Sequence, residues 1–241
     1  KRSALITHAV TKGIEPGVKM KDSGVEWIGE VPEGWEINRL GAHVSLDVGY
    51  AFQSEKFVDG GIRLLRGDNV TEGKTRWGDK TRFWSESDNI PKRFLLSKDD
   101  LVIPMDGSKV GKNFALISEN DLPAYLVQRV SRIKCKESLL INYLFRYIGH
   151  EMFQRHVDLV KTDPAIPHIT AKNITDFFIA IPPLAEQHAI AAFLDRETAR
   201  IDDLIAKIRQ AIATLSEYRS ALISSAVTGK IDVRGDAIEN D

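Results

Sequence analysis

The sequence predicts an α+β protein: a mostly-β globular domain with a packed helix, followed by a long coiled-coil α-helix. Three observations carry that prediction. Between Trp35 and Ile133, short β-type runs alternate with Gly, Asn and Asp turns. From Leu139 to His156 the apolar period becomes helical. From Leu194 to Leu222 apolar residues recur at strict sevens, the seam of a coiled coil, whereas a lone surface helix drifts at about 3.6 residues per turn.

The elements follow in order. Arg2–Thr11 recurs as Arg219–Thr228 with eight of ten positions identical. Chance composition does not produce such a match, so the expectation is one full repeat preceded by the tail of an earlier one, a piece of a longer two-repeat protein. Lys12–Gly34 carries five glycines and two prolines and reads as a linker and an irregular lead-in. Strands are expected at His43–Val48, Ile62–Leu65, Leu101–Pro104, Asn113–Ile117 and Tyr125–Ile133. One helix is expected over Leu139–His156, with Ser138 as N-cap and Leu140, Tyr143, Leu144, Tyr147, Ile148 and Phe153 on its packed face. A loop containing Asp163-Pro164 and Pro167, a turn from Thr170 and a strand at Phe177–Ile181 bring the domain to its end at Pro182-Pro183. The closing helix spans Leu184 to Thr228, about 65 Å, with Pro183 in its first turn and Gly229 as its cap. Its seam consists of Leu194, Ile201, Ile208, Leu215 and Leu222, with Ile205 and Ile212 between them. Such a seam needs a partner helix, and a two-fold dimer of the isolated chain is expected.

Composition narrows the class. With 43% hydrophobic and 28% charged residues among 241, the chain has an ordinary globular make-up. Its apolar runs, such as Phe177–Ile181, fall far short of the ~20 residues of a membrane span. The single cysteine, Cys135, has no partner for an internal disulfide or a cysteine metal site, which suits a reducing compartment and makes the cytoplasm the expected location. Net charge is −1, but Gly61–Lys136 holds 15 Lys and Arg against 10 Asp and Glu. The middle of the chain is basic and its ends are acidic.

That basic middle contains the groups used to contact DNA: Arg and Lys for phosphates and guanine, Asn for adenine, and glycine-turn amides. Arg63, Arg66, Asn69, Lys74, Arg76, Lys80 and Arg82 crowd one stretch with Trp77 and Trp84. A second stretch holds Ser108, Lys109 and Lys112, and a third, beyond the basic middle in the loop before the last strand, holds Lys161, Thr162, His168, Thr170 and Lys172. Taken singly, each cluster is more often a solvated face. Enzyme motifs fare worse. Gly107–Lys112 lacks a spacer residue and the Ser/Thr of a phosphate loop, and His150, Glu151 and His156 do not have the zinc spacing. Asp47, Glu72 and Lys74 have the order of a magnesium nuclease, the main enzymatic alternative. A protein-binding coiled-coil adaptor is the other alternative.

Several motifs, in order, resemble the specificity subunit of type I restriction-modification enzymes. They are Ser23-Gly-Val-Glu-Trp-Ile-Gly29, Val31-Pro-Glu-Gly-Trp35, Leu65-Arg-Gly-Asp-Asn-Val70 and Leu101-Val-Ile-Pro-Met-Asp-Gly-Ser-Lys-Val-Gly111. Ile181-Pro-Pro-Leu-Ala-Glu-Gln187 with Ile190-Ala-Ala-Phe-Leu194 resembles the family's most specific signature, and Tyr218–Ile223 with Val227–Lys230 its helix terminus. The resemblance implies four parts: the end of a preceding conserved helix and linker (1–24), a DNA target recognition domain (25–183), a conserved coiled-coil helix (184–228) and a tail (229–241). It also implies a non-catalytic module that reads one part of a split double-stranded DNA site and directs methyltransferase and restriction subunits to it. Neither S-adenosylmethionine nor ATP would bind this chain, so no cofactor or metal is expected.

Overall fold

A computed structural model describes residues 2–162 and 166–231. Asp163-Pro164 and the tail beyond Ile231 lie outside the described residues. The chain divides into two compact units, Lys1–Leu194 and Asp195–Asp241.

The first unit opens with α1 (Arg2–Lys12), then β1 (Met20–Asp22), β2 (Glu30–Pro32), β3 (Glu36–Arg39), the single turn α2 (Leu40–His43) and β4 (Val44–Val48). Next come β5 (Ile62–Leu65), β6 (Val70–Thr71), β7 (Lys74–Thr75), β8 (Arg82–Trp84), β9 (Leu101–Pro104), β10 (Ala115–Leu116), β11 (Ala124–Leu126) and β12 (Val130–Cys135). The unit closes with α3 (Ile141–Ile148), α4 (Glu151–Val160), α5 (Ala171–Thr175), β13 (Phe178–Ile181) and the first turns of α6 (Leu184–Val227).

A four-stranded antiparallel sheet, β10-β9-β12-β4, stands beside a three-stranded one, β11-β5-β8, in which β11 and β5 run parallel. The period-2 alternation of strands shows how one segment serves two cores. Leu101 and Ile103 of β9 join the main core with Trp35, Tyr143, Tyr147, Phe153 and Phe177, while Val102 between them faces a second core with Leu65, Leu126 and Val130. That explains why β9 reads as an unbroken apolar run: both faces are covered. β5 repeats the device, sending Leu65 to the second core and Leu64 to an aromatic cluster around Trp84 and Tyr125.

Three expectations are corrected. The Leu139–His156 helix is two helices, because Gly149 caps α3 and His150 begins α4, its Nδ1 accepting from the Met152 N–H. A Cβ at Gly149 would lie 2.6 Å from the Phe114 ring, so the break is also a close approach. Ser138 is not the cap; its hydroxyl lies 2.8 Å from His43 Nδ1, and Leu140 takes the cap position. The Tyr125–Ile133 run is two strands turned at Arg129, which adopts φ 74°.

Two buried groups join α1 and α6 to the domain. Tyr143 Oη donates to the Ala180 carbonyl at 2.8 Å and lies 3.2 Å from that of Val10. Gln187, fully buried, accepts from Leu140 N–H at 2.8 Å and donates to the carbonyls of Ser138 and Pro182. Beside it, Glu186 accepts from the Trp35 indole at 2.9 Å. The signature around Ile181–Gln187 is therefore an anchoring device. Leu194 is also fully buried in the main core, which removes it from the expected seam.

In the second unit, α6 continues to Val227 and ends at Gly229, whose φ of 70° suits a glycine cap. Ile205, Ile208, Ile212, Leu215 and Leu222 are exposed and Ile201 is half-buried. Among the described residues no helix is long and apolar enough to cross a membrane.

Candidate nucleic-acid interface

The first basic stretch folds as a ribbon. β6 and β7 pair antiparallel, with Val70 opposite Thr75 and Thr71 opposite Lys74, so Glu72 and Gly73 form the tip. Gly73 has φ 80°, a region that a side chain at this corner would strain. The tip is fixed from behind: Gly73 N–H donates to the Phe114 carbonyl at 2.9 Å, and Phe114 N–H to that of Thr71 at 3.2 Å. From Thr71 to Trp77 exposure alternates strictly, with Glu72, Lys74 and Arg76 outward and the residues between them half-buried.

Two of the inward side chains, those of Thr75 and Trp77, converge on Asp121. Its carboxylate accepts from Thr75 Oγ1 at 2.5 Å, Trp77 Nε1 at 2.7 Å, Ser118 Oγ at 2.6 Å and Ser118 N–H at 2.8 Å. Burial by itself would raise the pKa of Asp121, but these bonds outweigh it and hold the carboxyl below the ordinary range.

The second stretch forms the facing wall. After β9 the chain turns through Asp106-Gly107-Ser108-Lys109, and Val110 N–H closes the turn on the Gly107 carbonyl at 3.0 Å. Gly111 is held against Val157, where a Cβ would meet the side chain at 2.8 Å. Between ribbon and turn lies a cleft of about 490 Å³, with Asp68, Glu72, Lys74 and Arg76 on one side and Asp106, Ser108, Lys109 and Asn113 on the other. The third stretch is tied to the same turn, through Gly107 N–H donating to the Pro167 carbonyl and a bridge between Asp106 and His168.

The structure sorts the sequence candidates by what their head groups already do. Lys74, Arg76, Ser108 and Lys109 come together at the cleft with side chains that have no partner among the described residues. Lys112 is exposed on the same turn. Arg63 is engaged instead: it donates to the carbonyls of Asn120 and Leu122 and lies over the Trp77 ring at 4.8 Å. Asn69 is a second correction, only 2% exposed, accepting from Arg66 N–H and donating to the Arg76 carbonyl. Arg66 is half-buried and 3.7 Å from Asp68.

In the third stretch Lys161 pairs with Asp158, Lys172 with Asp176, and Thr170 caps α5 through the Asn173 N–H. Thr162 Oγ1 lies 2.7 Å from His168 Nε2. These residues build the loop and the short helix behind the turn. Asn113 and Asp106 were not anticipated as cleft residues. Asn113 directly follows Lys112, and that adjacency was the available signal.

The nuclease constellation does not assemble. The Asp47 carboxylate on β4 is held 2.6 Å from Arg132 Nη2 of β12, while Glu72 and Lys74 sit on the ribbon. Among the described residues no group of three or more His, Cys, Asp or Glu could hold a metal ion.

Comparison with known proteins agrees with this architecture. A family profile described as the type I restriction modification DNA specificity domain matches residues 32–214. The chain is 32% identical over 201 residues to the type I restriction enzyme EcoAI specificity subunit of Escherichia coli, covering 82% of this chain and 34% of that protein. Against the MjaVIII specificity subunit of Methanocaldococcus jannaschii the identity is 29%, covering 97% and 54%. The HsdS subunit of Thermoanaerobacter tengcongensis shares the fold, with a TM-score of 0.62 at 20% identity over 95% of this chain and 50% of that one. The chain thus spans about half or less of the relatives it matches. By the match over 32–214 and these relatives, the chain belongs to the type I restriction modification DNA specificity domain family.

Proposed function

We propose that this chain is a non-catalytic, sequence-reading DNA module, with a recognition domain over residues 25–183, that directs methyltransferase and restriction subunits to one part of a split target in the cytoplasm. The observation that carries the reading is the cleft, where an anchored β-ribbon faces a glycine turn and both present cationic side chains with no partner among the described residues. A two-stranded ribbon fits the major groove, and lysines on a glycine turn suit the phosphate backbone. Lys74, Arg76, Lys109 and Lys112 supply four cations, so log affinity for duplex DNA should fall against log salt with a slope of about −3 to −4. The Lys109→Ala, Lys112→Ala double variant should reduce that slope by about 2 and weaken all sequences alike. A titration by fluorescence anisotropy, with the methylase partner present, tests this. No duplex binding at low salt refutes it.

The exposed face of α6 that carries Ile205, Ile208, Ile212, Leu215 and Leu222 is the proposed docking seam for a second helix. In the isolated chain a second copy supplies that helix, giving a two-fold dimer. Light scattering at tens of micromolar should show a dimer, and Ile208→Asp with Leu215→Asp a folded monomer. A monomeric unmodified chain overturns this proposal.

A further inference from the structure

Resting on the DNA reading above, we infer that Glu72 is a specificity-determining residue, whose carboxylate accepts a hydrogen bond from an exocyclic amino group on a base edge in the major groove. The inference begins from an apparent misfit. Glu72 stands at the tip of the ribbon on the same outward face as Lys74 and Arg76, lining a cleft whose other free groups suit a polyanion. Among the described residues its carboxylate has no partner.

Flexibility does not remove it from the surface. The tip is fastened by the two backbone bonds to Phe114, itself 7% exposed and packed edge-on to Phe145 at 5.1 Å. The ribbon is held from inside by Thr75 and Trp77 on Asp121. A negative charge fixed there repels every phosphate that approaches. It is tolerated only opposite a hydrogen-bond donor, and the donors DNA offers in the major groove are cytosine N4 and adenine N6.

The same carboxylate therefore selects in two ways: it attracts one class of base edge and penalises sites that bring it only backbone or carbonyl oxygens. Its neighbours fit the division. Arg76 pairs with Asn69, three residue rows back from the tip, so at about 3.3 Å per row it stands about 10 Å from Glu72, close to three base-pair steps of about 3.4 Å. Arg76 and Glu72 then address separate base pairs, with Lys74 between them available to the backbone.

The test is a selection from randomised duplexes, using the chain together with its methylase partner and comparing wild type, Glu72→Ala, Glu72→Gln and Lys109→Ala. Glu72→Ala should lose the preference at one C·G or A·T pair. Affinity for the preferred duplex should fall about 5- to 150-fold, while affinity for unrelated duplexes stays level or rises. If the contact is to cytosine, Glu72→Gln should move the preference toward adenine, which Gln pairs bidentately through N6 and N7; if it is to adenine, Glu72→Gln should keep it. Lys109→Ala should weaken every duplex without changing the preferred bases. Because Glu72 is exposed and unpartnered, melting temperature should not move in either Glu72 variant, which separates a lost contact from a lost fold. Unchanged base preference in Glu72→Ala overturns this inference and leaves the DNA reading standing. No binding by wild type overturns the DNA reading and this inference with it.

Discussion

Replacing Asp121 with Ala should loosen the whole β6–β7 ribbon without touching a residue on its outer face. The carboxylate, 4% exposed, accepts four hydrogen bonds, two of them from Thr75 and Trp77 on the ribbon. A hydrogen bond to a charged group contributes about 1.5–3 kcal/mol net. All four donors are part-buried, so water recovers some of the loss, and bonds sharing one acceptor are not additive. The expected cost is about 3 kcal/mol, which for a domain of this size lowers the melting temperature by about 6–12 °C. Urea and thermal melts followed by tryptophan fluorescence measure it, with Trp77 as a local reporter.

The linkage has a definite sign. A carboxylate whose folded pKa is depressed stabilises the fold above its unfolded value of about 3.9, and loses that contribution as pH falls through the folded value. The gap between wild type and Asp121→Ala should therefore be full at pH 7 and close progressively below about pH 4. A melting temperature within about 2 °C of wild type at pH 7, or a gap that widens in acid, would refute the assignment of Asp121 as the ribbon's anchor.

Arg132, 5% exposed, holds Asp47 at 2.6 Å and lies 3.6 Å from Asp100, whose pKa burial raises against the Ser97 N–H, Arg132 and Lys134. Arg132→Ala leaves that buried carboxylate without its nearest guanidinium and should cost about 3–5 kcal/mol in urea unfolding; a loss under about 1 kcal/mol contradicts this. Burial lowers the pKa of His150, opposed by Glu151 and by its bond to Ser3 and assisted by Arg155. The unfolded chain takes up a proton near pH 6.5 that the native state resists, so stability should be full above about pH 6.5 and fall as pH drops below it. His150→Asn, which keeps a capping acceptor, should flatten that part of the profile, and identical wild-type and variant profiles from pH 7 to 5 count against it.

Much of the fold was legible because local pattern and tertiary outcome agreed. β5 and β9 match their predicted bounds, and α6 ends within one residue of expectation, since short apolar runs bounded by turn residues and a heptad stripe each have one good solution. Failures came where distant partners decide. Nothing local marks Arg129 for positive φ, and the split between α3 and α4 depends on Phe114 lying against Gly149. The two-residue strands β6 and β7 are too short to announce themselves. Clustering by sequence found Lys74, Arg76, Ser108 and Lys109, yet it could not separate them from Asn69, because composition does not tell which polar groups are consumed in holding a loop. Glu72 was visible only as a nuclease ligand, since its neighbours in space lie on a turn more than thirty residues away.

The alternation from Thr71 to Trp77 has an evolutionary consequence. Thr75 and Trp77 maintain the scaffold through Asp121, whereas the side chains of Glu72, Lys74 and Arg76 face the cleft with no partner among the described residues. Residues 72, 74 and 76 can therefore be exchanged while the hairpin persists, so that, on the DNA reading proposed above, new target sequences lie within reach of a few codon changes. Drift at Thr75 or Trp77 meets purifying selection on stability, whereas drift at 72, 74 and 76 would, on the DNA reading proposed above, meet selection only on which sequence is bound.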